Sequence, residues 1–193
     1  MNLGTPLTSK IDLCQELRVS DDKHTFATFK QTKGTELAFK AFKALAEGAT
    51  DKPFLFTYGP VGNGKTHLVE ALILRWWERG INCRYFTVYE MIDRIKAGIP
   101  DDATFSADEV VQALSTQKRL VMDDLGVEYE TPFTQSKLEQ IVDSRYRARL
   151  VTVMTTNKDL SQLSERIISR FSDPEVSQFV LNSARDYRRR NLK

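Results

Sequence analysis

The sequence predicts an α/β fold in which a mostly parallel sheet is covered by helices on both faces. Two observations support this prediction. Short apolar segments alternate along the chain with longer segments whose apolar residues recur at helical spacing. A glycine-rich motif, GPVGNGKT, also lies directly between the first predicted strand and a helix.

The predicted elements follow one another in a regular order. The first helix lies in GTELAFKAFKALAEG and ends at Gly48, where a glycine stops the helical pattern. The first strand is PFLFTYG, and the helix after it, KTHLVEALILRWWERG, ends at Gly80. Further strands are predicted in NCRYFTVY, RLVMDD, LVTVMTTN and EVSQFVL. The helices between them are predicted in EMIDRIKAG, SADEVVQALSTQ, PFTQSKLEQIVDSRYRARL and LSQLSERIISRF.

Composition excludes several classes of protein. The chain has 193 residues, 41% hydrophobic and 28% charged, which is typical of one soluble globular domain. Its net charge of +2 does not by itself require a nucleic-acid partner. The two cysteines, Cys14 and Cys83, lack the spacing of a zinc site or a disulfide framework. No signal peptide is expected at the N-terminus, and no apolar run approaches the ~18 residues that span a membrane. We therefore expect a cytoplasmic protein without a membrane partner.

The motif from Gly59 to Thr66 fits G-x-x-x-x-G-K-[ST] in full, in the strand–loop–helix context that this motif requires. Its glycines let backbone N–H groups surround phosphate at the start of a helix. Lys65 is expected to reach the β- and γ-phosphates, and Thr66 to supply a hydroxyl ligand for Mg²⁺. We therefore predict that ATP or ADP binds with Mg²⁺ at Gly59, Pro60, Val61, Gly62, Asn63, Gly64, Lys65, Thr66 and His67. His67 has no metal-ligand spacing, and its side chain is interpreted as structural.

Two adjacent aspartates end the strand RLVMDD. A bound nucleotide needs a carboxylate for its Mg²⁺ at the end of a neighbouring strand, and Asp123 is predicted to provide it. Asp124 is then expected to orient or deprotonate the attacking water, and the alternative is a solvated residue at the strand end. Glu128 is a lower-ranked candidate for the same role. Because aspartate is one methylene shorter than the glutamate of many ATPases, slow turnover is expected.

Asn157 ends the strand LVTVMTTN. It is predicted to hold the attacking water if this strand lies between the strand before the glycine-rich loop and the strand RLVMDD; the alternative is a cap on the next turn. Arg166 and Arg170 are spaced i, i+4 and share one helix face. They are either solvated, or one of them acts as an arginine finger on the γ-phosphate of a neighbouring subunit.

Several segments, taken in order, resemble the AAA+ ATPase module of bacterial and phage DnaC/DnaI-type helicase loaders. They are HTFATFKQTKGTELAFKAFKAL, FLFTYGPVGNGKTHLVEAL, RYFTVYEMIDRIKAG, RLVMDDLGVE, SRYRARLVTVMTTN and LSERIISRF. The chain is also similar to the initiator DnaA and to the transposition helper IstB. The resemblance covers about His24 to Phe171. It implies a three-layer α-β-α P-loop NTPase fold with an ASCE core and strand order 5-1-4-3-2, Asn157 as sensor 1, and Arg170 as the arginine finger, with Arg166 in the same box.

The resemblance also implies partners and departures. A loader of this family binds a DnaB-like replicative helicase and single-stranded DNA, and self-associates through its arginine finger. The segment around Phe26 and Phe29 resembles the N-linker that packs near adenine. DnaA-like initiators continue into a helical lid, whereas only about 20 residues follow Phe171, so no lid domain is expected. The segment before the module is also shorter than in the loaders.

Three regions are predicted: an N-terminal tail or partner-binding segment over residues 1–25, an ATPase domain over 26–182, and a basic tail over 183–193. The tail is either solvated or follows a nucleic-acid backbone, with Tyr187 available to stack on bases; its cations are Arg185, Arg188, Arg189, Arg190 and Lys193.

Trp76 and Trp77 are interpreted as core and interface. Arginines near the end of one helix suit the helix dipole without any partner; they are Arg145, Arg147 and Arg149.

The predicted function is that of an AAA+ ATPase that loads a replicative helicase, with slow hydrolysis stimulated by assembly or DNA. Three alternatives remain open at this stage. One is an IstB-like DNA-binding helper of a transposase, and another is an adaptor that senses nucleotide without hydrolysing it. A small-molecule kinase is the third, although no segment suggests the lid that would bind a phosphate acceptor.

Overall fold

The computed structural model describes residues 23–98, 105–126 and 131–188. Within these ranges the chain forms five strands and six α-helices. The strands are β1 (Phe54–Tyr58), β2 (Arg84–Thr87), β3 (Arg119–Leu125), β4 (Val151–Thr156) and β5 (Ser177–Leu181). The helices are α1 (Glu36–Glu47), α2 (Lys65–Glu78), α3 (Val88–Lys96), α4 (Ala107–Thr116), α5 (Pro132–Arg147) and α6 (Glu165–Phe171).

All five strands lie in one sheet with the order β2-β3-β4-β1-β5, and every neighbouring pair is parallel. This confirms the predicted α/β fold and the strand order 5-1-4-3-2. Strand β4 lies between β1 and β3, which is the arrangement on which the prediction for Asn157 depended. Because the strands are parallel, the loops that follow β1, β3 and β4 meet at one edge of the sheet.

Side chains that alternate along the strands pack into two apolar layers, one on each face of the sheet. Leu55, Val121 and Val153 pack with the buried residues of α1 and α2. On the other face, Phe56 and Met122 belong to the cluster that includes residues of α3, α4, α5 and α6. Both faces are therefore covered, and the core consists of two layers with the sheet between them.

Two predicted boundaries are corrected. The segment NCRYFTVY was expected to be a strand throughout, but the strand ends at Thr87 and α3 begins at Val88. A capping box causes this: the Thr87 side chain accepts from the Glu90 N–H, and the Glu90 side chain accepts from the Thr87 N–H. The helix predicted in LSQLSERIISRF is interrupted. A 3₁₀ turn over Leu160–Gln162, started by a capping box, precedes α6.

The sequence suggested that Arg145 is a cation at the end of a helix that needs no partner, but the structure places it in the interior. Its side chain is fully buried at 0% exposure. The guanidinium donates to the carbonyls of Leu114 (2.8 Å), Gln117 (2.8 Å) and Val151 (2.6 Å), and to Thr152 Oγ1 (2.9 Å). It therefore joins the C-terminal end of α5 to the chain around α4 and β4. In the described part of the chain, no helix is long and apolar enough to cross a membrane.

Candidate nucleotide-binding site

The loop between β1 and α2 forms a cradle at the edge of the sheet where the strands end. Gly64 directly precedes the first residue of α2 and has φ 91°, a backbone conformation that favours glycine. A Cβ at this position would lie 2.8 Å from the ring of Phe29. Glycine is therefore required here by both backbone and space, and the N–H groups at the start of α2 remain accessible to an anion.

Lys65 folds back over this loop. Its Nζ donates to the carbonyls of Gly59 (2.8 Å) and Pro60 (2.9 Å) and to Asn63 Oδ1 (3.2 Å). Burial lowers the pKa of Lys65 to about 8, although the two aspartates of β3 favour its charged form. The cation is held in place by neutral acceptors, so a phosphate group is a suitable additional partner.

Asp123 is buried at the end of β3, with 2% exposure. Its carboxylate accepts a hydrogen bond from Thr155 Oγ1 on β4. Burial raises the pKa of Asp123, and hydrogen bonds from Thr155 and Thr66 act in the opposite direction. A buried carboxylate beside the Thr66 hydroxyl is a donor set that suits Mg²⁺. No cluster of three or more His, Cys, Asp or Glu with metal-site geometry occurs among the described residues.

Asp124 has a different environment from its neighbour. Its φ is 58°, in the left-handed region, and the pairing of β3 with β4 shifts register between Met122 and Leu125. Its backbone N–H donates to Thr155 Oγ1 (3.0 Å), and its exposed carboxylate accepts from Asn157 Nδ2 (2.5 Å). Asp124 thus lies next to Asn157, at a point where the backbone of β3 is irregular.

These side chains border one cavity of about 330 Å³. The structure therefore brings the glycine-rich loop, Asp124 and Asn157 together, as the sequence predicted, while Asp123 lies buried beneath them. The alternative base, Glu128, lies outside the described residues. The lining consists of Val61, Gly62, Asn63, Gly64, Lys65, Thr66, Asp124, Thr155, Asn157 and Arg188.

A second cavity, of about 270 Å³, adjoins the first, and Asn63 lines both. The His67 ring stacks on His24 with centroids 4.4 Å apart and meets Phe29 edge to face at 5.0 Å. The segment before α1 therefore forms one wall of this cavity. Its lining includes Lys23, His24, Thr28, Phe29, Lys30, Thr32, Thr35, Asn63, His67, Arg185 and Tyr187.

Arg166 and Arg170 share a single carboxylate, Asp143 of α5. Arg170 Nε donates to Asp143 Oδ1 (2.8 Å), and Arg166 donates to Asp143 Oδ2. Burial acts to raise the pKa of Asp143, but the hydrogen bonds from both arginines outweigh it and the pKa is lowered. The Arg170 guanidinium also lies over the Tyr146 ring, 5.0 Å from its centroid. Neither arginine is among the described residues that line the 330 Å³ cavity.

Sequence reasoning missed the contribution of the segment after β5. Arg188 lines the first cavity and Tyr187 the second, although both were interpreted as parts of a tail. Local periodicity contains no signal for this placement. The hint lay in topology: β5 pairs with β1 in parallel, so the residues after both strands meet at the same edge.

The fold and the site together define a P-loop nucleotide-binding protein with the sheet order of the AAA+ class. More specifically, the chain belongs to the bacterial DnaA ATPase domain family, whose profile matches residues 20–175.

The chain is similar to the replicative helicase loader DnaC of Escherichia coli (strain K12), with 29% identity over 120 residues. That match covers 62% of this chain and 48% of DnaC, so the chain spans about half the length of this curated relative. A crystal structure of the DnaC helicase loader superposes with a TM-score of 0.71 at 20% identity, covering 86% of this chain and 99% of that one. AMPPCP-bound DnaA from Aquifex aeolicus superposes with a TM-score of 0.69 at 24% identity, covering 84% of this chain and 50% of that one. These two structures show a shared fold.

Proposed function

We propose that this chain binds ATP with Mg²⁺, hydrolyses the ATP, and uses it to load a replicative DNA helicase onto single-stranded DNA in the cytoplasm. The single observation that carries the nucleotide part is the shared cavity, in which the glycine-rich loop faces Asp124 and Asn157. Phosphate binding uses the N–H groups at the start of α2 together with Lys65. The neighbouring 270 Å³ cavity is the place for the nucleoside, beside Phe29 and His67.

Each polar group of the site has a proposed role. Thr66 and Asp123 hold Mg²⁺, which when bound neutralises charge on the phosphates. Asp124 orients the attacking water and accepts its proton, and Asn157 fixes the Asp124 carboxylate while donating to that water. The short aspartate and its hydrogen bond to Asn157 support slow hydrolysis in the isolated chain.

Completion of the site by a second copy is the proposed reason for stimulation by assembly. Arg170 is 36% exposed at its side chain and Arg166 is 59% exposed, so both are accessible from outside. Asp143 and Tyr146 hold Arg170 in a fixed direction on α5 and α6. A guanidinium presented in this way is suited to stabilise the γ-phosphate of a neighbouring copy during hydrolysis.

The helicase part of the proposal is supported by the similarity to DnaC in sequence and by the shared fold. It is tested with a DnaB-like helicase encoded in the same genome, loaded onto circular single-stranded DNA with ATP present. We expect a stable complex with the helicase and its transfer to the circle. Lys65→Ala should abolish transfer because it removes the phosphate-binding cation. Arg147→Ala, which replaces an exposed arginine at the C-terminal end of α5, serves as the control.

Other outcomes would favour the alternatives. Failure to bind the helicase, combined with cooperative ATP-dependent coating of duplex DNA, would overturn the loader function in favour of an IstB-like helper. Complex formation that needs ATP but proceeds without phosphate release would instead indicate a nucleotide-sensing adaptor. The division into residues 1–25, 26–182 and 183–193 remains a prediction.

A further inference from the structure

The segment before α1, residues 23–35, contributes most of the lining of the 270 Å³ cavity; we call it the wall segment. It forms turns and irregular chain, with neither a helix nor a strand. A ladder of backbone hydrogen bonds therefore does not fix it to the sheet. Its position depends chiefly on the side chains that join it to the rest of the molecule.

Glu70 makes one of these contacts. It lies on α2, one turn after Thr66, and is buried at 1% exposure. Its carboxylate accepts a hydrogen bond from Nδ1 of His24, which lies 46 positions earlier in the wall segment. Burial of a carboxylate is costly unless hydrogen bonds and charge compensate it, and His24 provides part of that compensation. Glu70 is not among the described residues that line the two cavities, so the proposed phosphate chemistry gives it no role.

His67 holds the same segment from one turn earlier on α2. Its Nε2 donates to the Thr25 carbonyl (3.0 Å). Its ring stacks on the His24 ring, with centroids 4.4 Å apart, and meets Phe29 edge to face at 5.0 Å. Because residues three apart share one face of a helix, His67 and Glu70 act on the wall segment from the same side. The segment is therefore attached to α2 through His24.

The groups that bind phosphate are held in a different way. Lys65 Nζ donates to the carbonyls of Gly59 (2.8 Å) and Pro60 (2.9 Å) and to Asn63 Oδ1 (3.2 Å). All three acceptors belong to the phosphate loop itself, and none belongs to the wall segment. A change that loosens the wall segment should therefore leave the phosphate-binding lysine in place.

We propose that Glu70 is a positioning residue for the nucleoside. Through its bond with His24 it holds the wall segment against α2, and so it shapes the cavity that takes the base and the ribose. The inference rests on the proposed nucleotide binding at this site and gives a role to a buried carboxylate that the phosphate chemistry does not use. The contact sets the affinity for the nucleoside part of ATP and leaves the affinity for the triphosphate part unchanged.

The test compares equilibrium binding of AMPPCP with that of inorganic tripolyphosphate, which lacks the nucleoside, at a fixed Mg²⁺ concentration. Glu70→Ala and His24→Ala should each weaken AMPPCP binding about tenfold, because the wall segment is in place in a smaller fraction of molecules. Binding of tripolyphosphate should change by less than about threefold. His24→Asn should restore part of the loss, since its side-chain amide can donate from close to the position of Nδ1.

Glu47→Ala is the matched control. Glu47 is an exposed carboxylate of α1 that accepts from Arg75 Nε of α2 (2.8 Å), so this pair also joins α2 to an earlier part of the chain. Neither residue is among the described residues that line the two cavities. The Glu47→Ala variant should therefore bind both ligands as the wild type does.

The double variant Glu70→Ala/His24→Ala distinguishes one shared contact from two independent effects. Both single changes break the same bond, so the double variant should bind AMPPCP within about threefold of each single variant. Independent effects would instead multiply to a loss of about a hundredfold. The double variant also removes the buried carboxylate together with its partner, so it leaves no uncompensated charge from this pair in the interior.

The inference is overturned if the single variants bind AMPPCP as tightly as the wild type, if they lose affinity for both ligands equally, or if their losses multiply in the double variant. The His24 side chain is 36% exposed, so its replacement is not expected to prevent folding. If the wild type binds AMPPCP but not tripolyphosphate, the double variant decides. A wild type that binds neither ligand would instead overturn the proposed function itself.

Discussion

Asp123 and Asp124 are neighbours in sequence, but their surroundings give them different chemistry. Asp123 is buried and its pKa is raised, so a cation beside it would relieve the cost of keeping it charged. Asp124 lies on the cavity wall with its carboxylate bound by Asn157. A regular strand would already place neighbouring side chains on opposite faces of the sheet. The left-handed backbone at Asp124 departs from that geometry at the residue whose carboxylate meets Asn157.

Replacing Asp124 separates binding from hydrolysis. Asp124→Asn keeps the size of the side chain, and asparagine accepts φ 58° as readily as aspartate does. The amide cannot accept the proton of the attacking water, so the ATPase rate should fall by at least about 100-fold while ATP affinity changes little. Steady-state phosphate release and equilibrium nucleotide binding measure the two quantities. Unchanged turnover would transfer the role of base to another residue, with Glu128 the first to test.

Helix α5 connects the interior of the molecule to the pair of arginines on α6. Asp143 lies on α5 and receives both Arg166 and Arg170, and Arg145, two residues later, is buried beneath β4. The fully buried guanidinium of Arg145 donates to three backbone carbonyls, those of Leu114, Gln117 and Val151. The position of the proposed finger therefore depends on how firmly this helix is anchored.

Arg145→Met should destabilise the fold strongly. The methionine fills part of the volume, but it leaves the carbonyls of Leu114, Gln117 and Val151 without donors. We expect the free energy of unfolding to fall by about 3 kcal/mol, as is usual when one partner of a buried charged network is removed. Urea denaturation measures this, with Arg147→Met as the exposed control. A loss within about 0.5 kcal/mol, which is typical of a surface site, would contradict the anchoring role.

At the scale of the whole molecule, the sequence predicted the fold and the phosphate loop because both have local signatures. Periodicity identified the helices and strands, and the motif from Gly59 to Thr66 has its glycines and its lysine within eight positions. One local signal was available but not used. The pattern Thr87-x-x-Glu90 is a capping box, and it overrode the strand preference of Val88 and Tyr89.

Contacts between distant parts of the chain were not predictable in this way. The Asn63–Asn182 pair joins residues 119 positions apart, and Asp143 meets Arg170 across 27 positions. Arg145 and Arg147 are both arginines near one helix end, yet one is buried and the other exposed. Tertiary packing alone distinguishes them, because the pattern of a single helix cannot show which face a later strand will cover.

At the scale of the assembly, we propose that ATP is hydrolysed at a site completed by Arg170 of a second copy. It is tested by mixing Lys65→Ala, which lacks a functional phosphate site but retains Arg170, with Arg170→Ala, which retains the phosphate site. Each variant alone should have little ATPase activity at any protein concentration. The mixture should hydrolyse ATP faster than the sum of the two, because a Lys65→Ala copy supplies its arginine to an Arg170→Ala copy. A mixture no faster than that sum, or an Arg170→Ala variant whose activity rises with protein concentration as the wild type does, would contradict the claim.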